Sequence, residues 1–315
     1  MRISIIGPGI MPIPPVGWGA VESLIWDYYE ELTLLGHEVQ IVNTPNIQGI
    51  INSVNEFNPD FVHLQYDDLH NVLRHINCKN KAATSHFGYI ENQMHTHSYY
   101  NPIFRGFVEG DYNIFCLSEG IKNVYLSAGV NPDRLYVTPN GARVDLFKYI
   151  DSPTITDKSI YLAKIQHRKR QYVYHTIDCI DFVGNREDGK FNYNIPNYLG
   201  EWTKGQLYEN LSAYPNLVLL SDGEAHALVC CEALINGLGL VISEYAIGNL
   251  DTSLPFITVI PNSHLDDLEY VKSAIIENRK VSIEHRSQIR EYGIKMFSWK
   301  NVIPKYVSLI ESIIK

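Results

Sequence analysis

The sequence predicts an α/β protein of two tandem domains, each built on a parallel sheet. Three observations carry that reading. Short apolar stretches alternate with helix-like segments along almost the whole chain. The rhythm breaks once, near Pro139–Tyr149, and a polar, turn-rich stretch, "DSPTITDK" (Asp151–Lys158), follows. The length, 315 residues, suits two units at roughly 100–200 residues per domain.

Arg2–Ile6 is the first strand. It has only a few apolar positions before Gly7 and Pro8 and no small-residue cleavage site, so it reads as structure and not as a leader. A Gly/Pro-rich loop, "GPGIMPIPPVGWG", leads to a helix over 19–35, with Val21, Leu24, Ile25, Tyr28, Leu32 and Leu35 at helical spacing. Gly36 closes it and "HEVQIVN" starts the second strand. "PDFVHLQ", "KAATSH" and "YNIFCLS" read as further strands, each followed by a helix-like segment. Beyond the linker "SIYLAKI", "CIDFVG", "NYLGEW", "LVLLS", "LVISE" and "FITVI" are strand candidates. The expected domains are 1–150 and 151–297.

Composition narrows the function classes. A hydrophobic fraction of 45% allows two cores. The formal charge of −9 argues against a nucleic-acid partner but leaves room for a basic pocket holding a small anion. The five cysteines form no C-x-x-C and read as reduced thiols of a reducing compartment. No apolar run approaches the ~20 residues of a membrane helix. The expectation is a cytoplasmic protein, with contact to a membrane surface left open.

Ligands of α/β sheets bind at the carboxyl ends of strands. Three stretches there carry chemistry. In the first loop Pro12 stands where a dinucleotide fingerprint needs a third glycine, which disfavours a nicotinamide enzyme. The amides near Gly17 and Gly19 could instead face an anion, or the loop is a plain connection. After "SIYLAKI" comes the densest basic cluster, Lys164, Arg168, Lys169 and Arg170, which suits a diphosphate or a solvated face. After "LVLLS" comes "SDGEAHALVCCEALIN". Here Glu224 precedes a helix starting over 225–228, and Glu232 lies about two turns in. The helix N-terminus suits an anion, and a carboxylate can accept two hydrogen bonds from a ribose diol. The bland alternative is an N-terminal acid and a solvent-facing Glu232.

Taken together these pieces resemble the retaining nucleotide-sugar glycosyltransferases of family 4, which have the GT-B fold. "PPVGWGAVESLIWDYYEELTLLGHEV" is similar to that family's P-P-x-G-Y/W-G-G-x-E opening and its G-H-E-V helix end. "TSHFGY" is similar to its T-x-H motif. "LSEGIKNVYLSAGVNPDRLYVTPNGARVDLF" resembles its S-x-x-I/V helix and interdomain P-N-G-V-D signature. "YLAKIQHRK" falls on G-R-x-x-x-x-K-G, and "YLGEWTKGQLYENL" on another family segment. Glu224 and Glu232 match E-x7-E, and "FSWKNVIPKYVSLIE" matches the terminal helix. The order is kept over almost the whole chain.

The resemblance implies two Rossmann-like domains facing a cleft, with a terminal helix, residues 298–315, packing back on the first. It implies a metal-independent hexosyl transfer from a nucleoside-diphosphate sugar, UDP- or GDP-linked, to a hydroxyl of a glycan, lipid or protein-linked sugar. Donor contacts would come from Lys164 and Lys169, from Glu232 at the ribose, and from Glu224 facing the sugar ring. The amides of His226, Ala227 and Leu228 would meet the diphosphate and sugar, Gly19 would approach the phosphates, and Trp202 would lie near the base. His86 would sit by the donor sugar. Trp18, Tyr89 and Asn92 would line the acceptor side. Departures occur at Ala163-Lys164 for Gly-Arg, Lys169-Arg170 for Lys-Gly, and Ala142-Arg143 in the interdomain signature.

Other constellations are weaker. His95 and His97 lack a third ligand nearby in sequence, so they read as surface residues. "YDD" at Tyr66–Asp68 reads as a helix cap. Two alternatives from other classes stand beside the transferase. One is a catalytically weak nucleotide- or carbohydrate-binding protein on the same fold; the other is a nucleotide-sugar epimerase. The donor base, the acceptor and the oligomeric state are not legible.

Overall fold

The computed structural model describes all residues except Trp18, Gln93–His95, His97 and Ser98. The chain divides into two compact units, Met1–Gly141 with Trp299–Lys315, and Ala142–Ser298.

The first unit is a six-stranded parallel sheet in the order β2-β1-β3-β4-β5-β6. Its elements are β1 (Arg2–Ile6), α1 (Ala20–Leu34), β2 (Glu38–Val42), α2 (Ile47–Phe57), β3 (Phe61–Leu64), β4 (Lys81–Thr84), α3 (Asn101–Glu109), β5 (Asn113–Cys116), α4 (Glu119–Ser127) and β6 (Leu135–Val137). Central strands are covered on both faces, so both side-chain rows must be apolar. Ile3, Ile5 and Ile6 of β1 are accordingly all fully buried.

The second unit is a five-stranded parallel sheet in the order β11-β10-β9-β7-β8. It comprises β7 (Ser159–Leu162), α5 (Gln171–Tyr174), β8 (Ile180–Val183), α6 (Lys204–Asn210), β9 (Asn216–Leu219), α7 (Leu228–Ile235), β10 (Gly239–Ser243), β11 (Ile257–Ile260), α8 (Leu268–Glu284) and α9 (Arg286–Phe297). Local sequence sets several boundaries. Thr203 and Gln206 form a capping box on α6, and Asp267 accepts from the Tyr270 amide to open α8. Gly293 lets α9 approach α7: a Cβ there would stand 2.4 Å from the Leu234 carbonyl carbon.

The final helix, α10 (Trp299–Ile314), belongs to the first unit. Buried Trp299 donates from Nε1 to Asp27 Oδ2 at 3.0 Å and lies edge-on to Tyr28, centroids 4.9 Å apart. About two turns further Tyr306 Oη meets His63 Nδ1 at 2.8 Å.

Four sequence expectations differ from the structure. The division falls after Gly141 and not near residue 150. Residues 142–150 are tied to the second unit, since the Ala142 amide donates to Phe297 O at 2.7 Å and the Lys148 amide to Tyr208 O at 2.9 Å. "NYLGEW" is not a strand. Only Tyr198 bridges to Phe182, and Gly200 (φ +81°) turns the chain away before the α6 cap. β6 escaped notice because its three residues are too few to show a period. Asp67 of "YDD" caps nothing; its buried Oδ2 accepts from Ser85 Oγ at 2.8 Å and Tyr100 Oη at 2.6 Å.

Replacing Trp299 with alanine should destabilise the protein by roughly 3–5 kcal/mol, the usual cost of emptying a buried aromatic site. Urea unfolding would measure it, and a loss below ~1 kcal/mol would mean that α10 is not anchored through this ring.

Candidate functional site

The second unit brings two loops together. β7 and β9 are neighbours in a parallel sheet, so their carboxyl ends lie on one edge. After β7 the chain runs through Ala163–Gln166 into a tight 3-10 turn, His167–Lys169, and then Arg170. After β9 it runs from Leu220 to Ala227. Tyr161 Oη joins the two loops, accepting from the Leu220 amide at 2.9 Å and donating to Lys169 O. The Asp222 amide donates to Arg168 O at 2.9 Å, and Arg168 Nη1 donates to Gly223 O.

The junction places a carboxylate among cations. Lys169 Nζ donates to Glu224 Oε1, Ser221 Oγ donates to the same oxygen at 2.5 Å, and Arg168 Nη1 lies 3.4 Å away. The Lys169 and Glu224 side chains are only 11% and 10% exposed, so this pair is nearly out of water. Burial alone would raise the Glu224 carboxyl. The Lys169 ammonium and the Arg168 guanidinium outweigh it and hold Glu224 below its ordinary value. Burial draws Lys169 down, with Glu224 opposing. Glu224 is therefore an anion at neutral pH and no general acid. Lys169 keeps two further N–H groups for another acceptor.

Helix α7 starts beside this pair. Its N-cap, Ala227, offers no side-chain oxygen to the first turn, so the amides of Ala227 and Leu228 have no intrahelical acceptor. Glu232 is half-buried on the same helix, and its carboxylate takes no hydrogen bond from any described residue. Burial pushes it above the usual carboxylate range, with Lys204 at the start of α6 opposing. His226 is buried against Cys231 Sγ, 3.7 Å from Nε2, and burial lowers it to about 4. Cys230 and Cys231 are buried free thiols pushed far above their ordinary value, which leaves them inert at neutral pH.

Each of the other expected residues has its own surroundings. Lys164 is directed at Glu187, and its carbonyl accepts from Gln171 Nε2 at 3.0 Å. Trp202 is half-buried on the second core, two residues before Lys204. In the first unit His86 is half-buried, with Nε2 2.9 Å from Gln65 Oε1, and burial lowers it to about 4. Gly19 caps α1 at φ +133°, and a Cβ there would stand 3.0 Å from Glu22 Oε2. The Tyr89 ring lies 5.5 Å from Phe87, and Asn92 is half-buried nearby in sequence. Trp18, His95 and His97 fall outside the described residues. Among those described, no His/Cys/Asp/Glu group could hold a metal ion.

Sequence reading missed the part of Ser221, the short donor that fixes Glu224. A serine three residues before the glutamate, at a strand exit, was the available signal. It also missed Glu187 as the partner of Lys164.

No known protein-family profile matches the chain, and no curated protein matches its sequence. Solved structures do match in shape. Sucrose-phosphate synthase from Thermosynechococcus elongatus superposes with a TM-score of 0.79 at 16% identity, over 99% of this chain and 98% of that one. HepE from Anabaena, solved with UDP and glucose, gives 0.73 at 14% identity over 99% and 100%. A glycosyltransferase from Rickettsia africae gives 0.70 at 13% identity over 100% and 98%. The chain thus has the GT-B fold.

Two predictions follow from the buried pair. Glu224 is depressed in the folded state, so its contribution is full above the unfolded value of 4.5 and vanishes as pH falls through the lower folded value. Glu224→Gln should therefore flatten the acid limb of a stability–pH curve below about pH 4.5; an unaltered limb would show the pair is not formed. Lys169→Met should cost about 3 kcal/mol by stranding the carboxylate, and adding Glu224→Gln should restore a large part. Simple additivity in the double variant would contradict the pairing.

Proposed function

We propose that this chain is a glycosyltransferase that moves a hexose from a nucleoside-diphosphate sugar to a hydroxyl acceptor with retention of configuration. The observation that carries the reading is the junction of the second unit. Lys169 and Arg168, a helix N-terminus and the anion Glu224 meet at one sheet edge, and Glu232 lies one helix turn beyond Leu228 with a carboxylate that takes no hydrogen bond from any described residue. The GT-B neighbours, among them HepE with UDP-glucose, support the same class of chemistry.

Breaking the glycosidic bond leaves negative charge on the departing diphosphate. Lys169, Arg168 and the α7 amides of Ala227 and Leu228 would stabilise that charge, helped by the burial of the Lys169–Glu224 pair. Glu224, held ionised, would accept hydrogen bonds from sugar hydroxyls and favour the positive charge that develops on the ring. Glu232 would take the two ribose hydroxyls, which replace the hydrogen bonds it lacks. No residue is required as a covalent nucleophile: the leaving phosphate itself can receive the acceptor's proton. His86, neutral at physiological pH, would orient a hydroxyl in the first unit, where Tyr89 and Asn92 stand for the acceptor side. We propose a UDP- or GDP-sugar donor and a glycan or glycolipid acceptor.

The test is a transfer assay with a panel of nucleotide sugars and simple glycoside acceptors, product anomers being read by NMR. Acceptor-dependent release of nucleoside diphosphate with a retained anomer is expected. Release or isomerisation that ignores the acceptor would favour an epimerase, and tight binding without turnover a binding protein. The ribose role has its own check. Glu232→Ala should weaken nucleoside-diphosphate binding roughly 10- to 100-fold, the worth of one or two charge-assisted hydrogen bonds. It should also abolish the preference over the 2′-deoxy analogue in calorimetry. Equal affinity in wild type and variant would remove Glu232 from the site.

A further inference from the structure

Arg170 combines two properties that oppose each other. Its backbone is left-handed, φ +56° and ψ +15°, a conformation that glycine adopts freely and a Cβ disfavours. Its side chain nevertheless spans the site's edge. Nη1 donates to Asp222 Oδ1 at 3.1 Å and Nη2 to Asp266 Oδ1 at 2.5 Å. The side chain is only 14% exposed. Asp222 and Glu224 stand two residues apart in the loop after β9, so two like charges crowd one short segment. Glu224 is neutralised by Lys169 and Arg168, and Asp222 by Arg170. If the turn alone mattered, glycine would serve better; an arginine fork, with its donors held in a fixed plane, is suited to joining two carboxylates on separate loops.

We propose that Arg170 is a positioning residue whose strained turn is retained because its fork clamps the 221–224 loop and so holds Glu224 against Lys169. The clamp works with the backbone bond from the Asp222 amide to Arg168 O, which seals the same seam. The functional half of this inference rests on the reading of Lys169 and Glu224 as donor contacts. The structural half does not.

The experiment is amide hydrogen exchange of Arg170→Gly, Arg170→Lys and Asp222→Asn, with nucleoside-diphosphate affinity measured in parallel. In Arg170→Gly the Asp222 amide should exchange at least tenfold faster than in wild type while β9 stays protected. Asp222→Asn should reproduce the effect, the double variant should add little, and Arg170→Lys should fall between. Nucleotide affinity should drop about tenfold in Arg170→Gly. Unchanged or slower exchange at Asp222 would overturn the clamp, and so would faster exchange with unaltered affinity in a protein that binds the nucleotide. A wild type that binds no nucleoside diphosphate would refute the donor reading, and the exchange rates would still decide the clamp. If Arg170→Gly fails to fold, Asp222→Asn alone makes the same test.

Discussion

The site depends on one constraint: a carboxylate and an ammonium are held nearly out of water where two adjacent strands end. Neither charge could stay there alone, because an unpaired ion at that depth costs several kcal/mol. Each loop therefore needs the other. The hydroxyl of Ser221, the guanidinium of Arg168 and the Tyr161 bridge fill out the hydrogen bonding that makes the pair tolerable. The same arrangement leaves two Lys169 protons and a helix N-terminus available to an anionic ligand. Structural necessity and the proposed chemistry thus use the same atoms.

The parallel sheets are what bring these residues together. Lys169 and Glu224 are 55 positions apart, yet β7 and β9 pair side by side and end on one edge. The first unit applies similar logic to a different group. His63 on β3 is fully enclosed, with Tyr306 Oη on Nδ1 and Thr84 Oγ1 on Nε2, both at 2.8 Å. Burial lowers it to about 3, so it stays neutral and acts as a polar rivet between the sheet and α10. Gln65 then links it to His86, with Nε2 3.3 Å from His63 Nδ1 and Oε1 2.9 Å from His86 Nε2.

Much of this was legible in the sequence, for physical reasons. Strands buried on both faces must be continuously apolar, so β1, β9 and β10 announce themselves. The α6 and α4 starts carry Thr and Ser caps. Glu224, Glu232 and the basic cluster could be picked out because charged residues beside apolar strands are rare. What escaped was set by tertiary geometry. Which cation meets which anion depends on loop paths, so the pairing of Lys164 with Glu187 could not be read from the sequence. "NYLGEW" has strand composition but is bent by the left-handed Gly200. The end of the first unit, after Gly141, is fixed by backbone bonds to residues roughly 60 to 155 positions away, which no local pattern encodes.

The proposed chemistry requires the Lys169–Glu224 junction to receive a nucleoside diphosphate. The most direct measurement is a hydrogen-exchange footprint of wild-type protein with saturating UDP, GDP or ADP. One nucleotide should slow exchange in two segments, 163–171 and 221–232, with little change elsewhere in the second unit. Protection confined to other segments, or no protection by any of them at millimolar concentration, would contradict it.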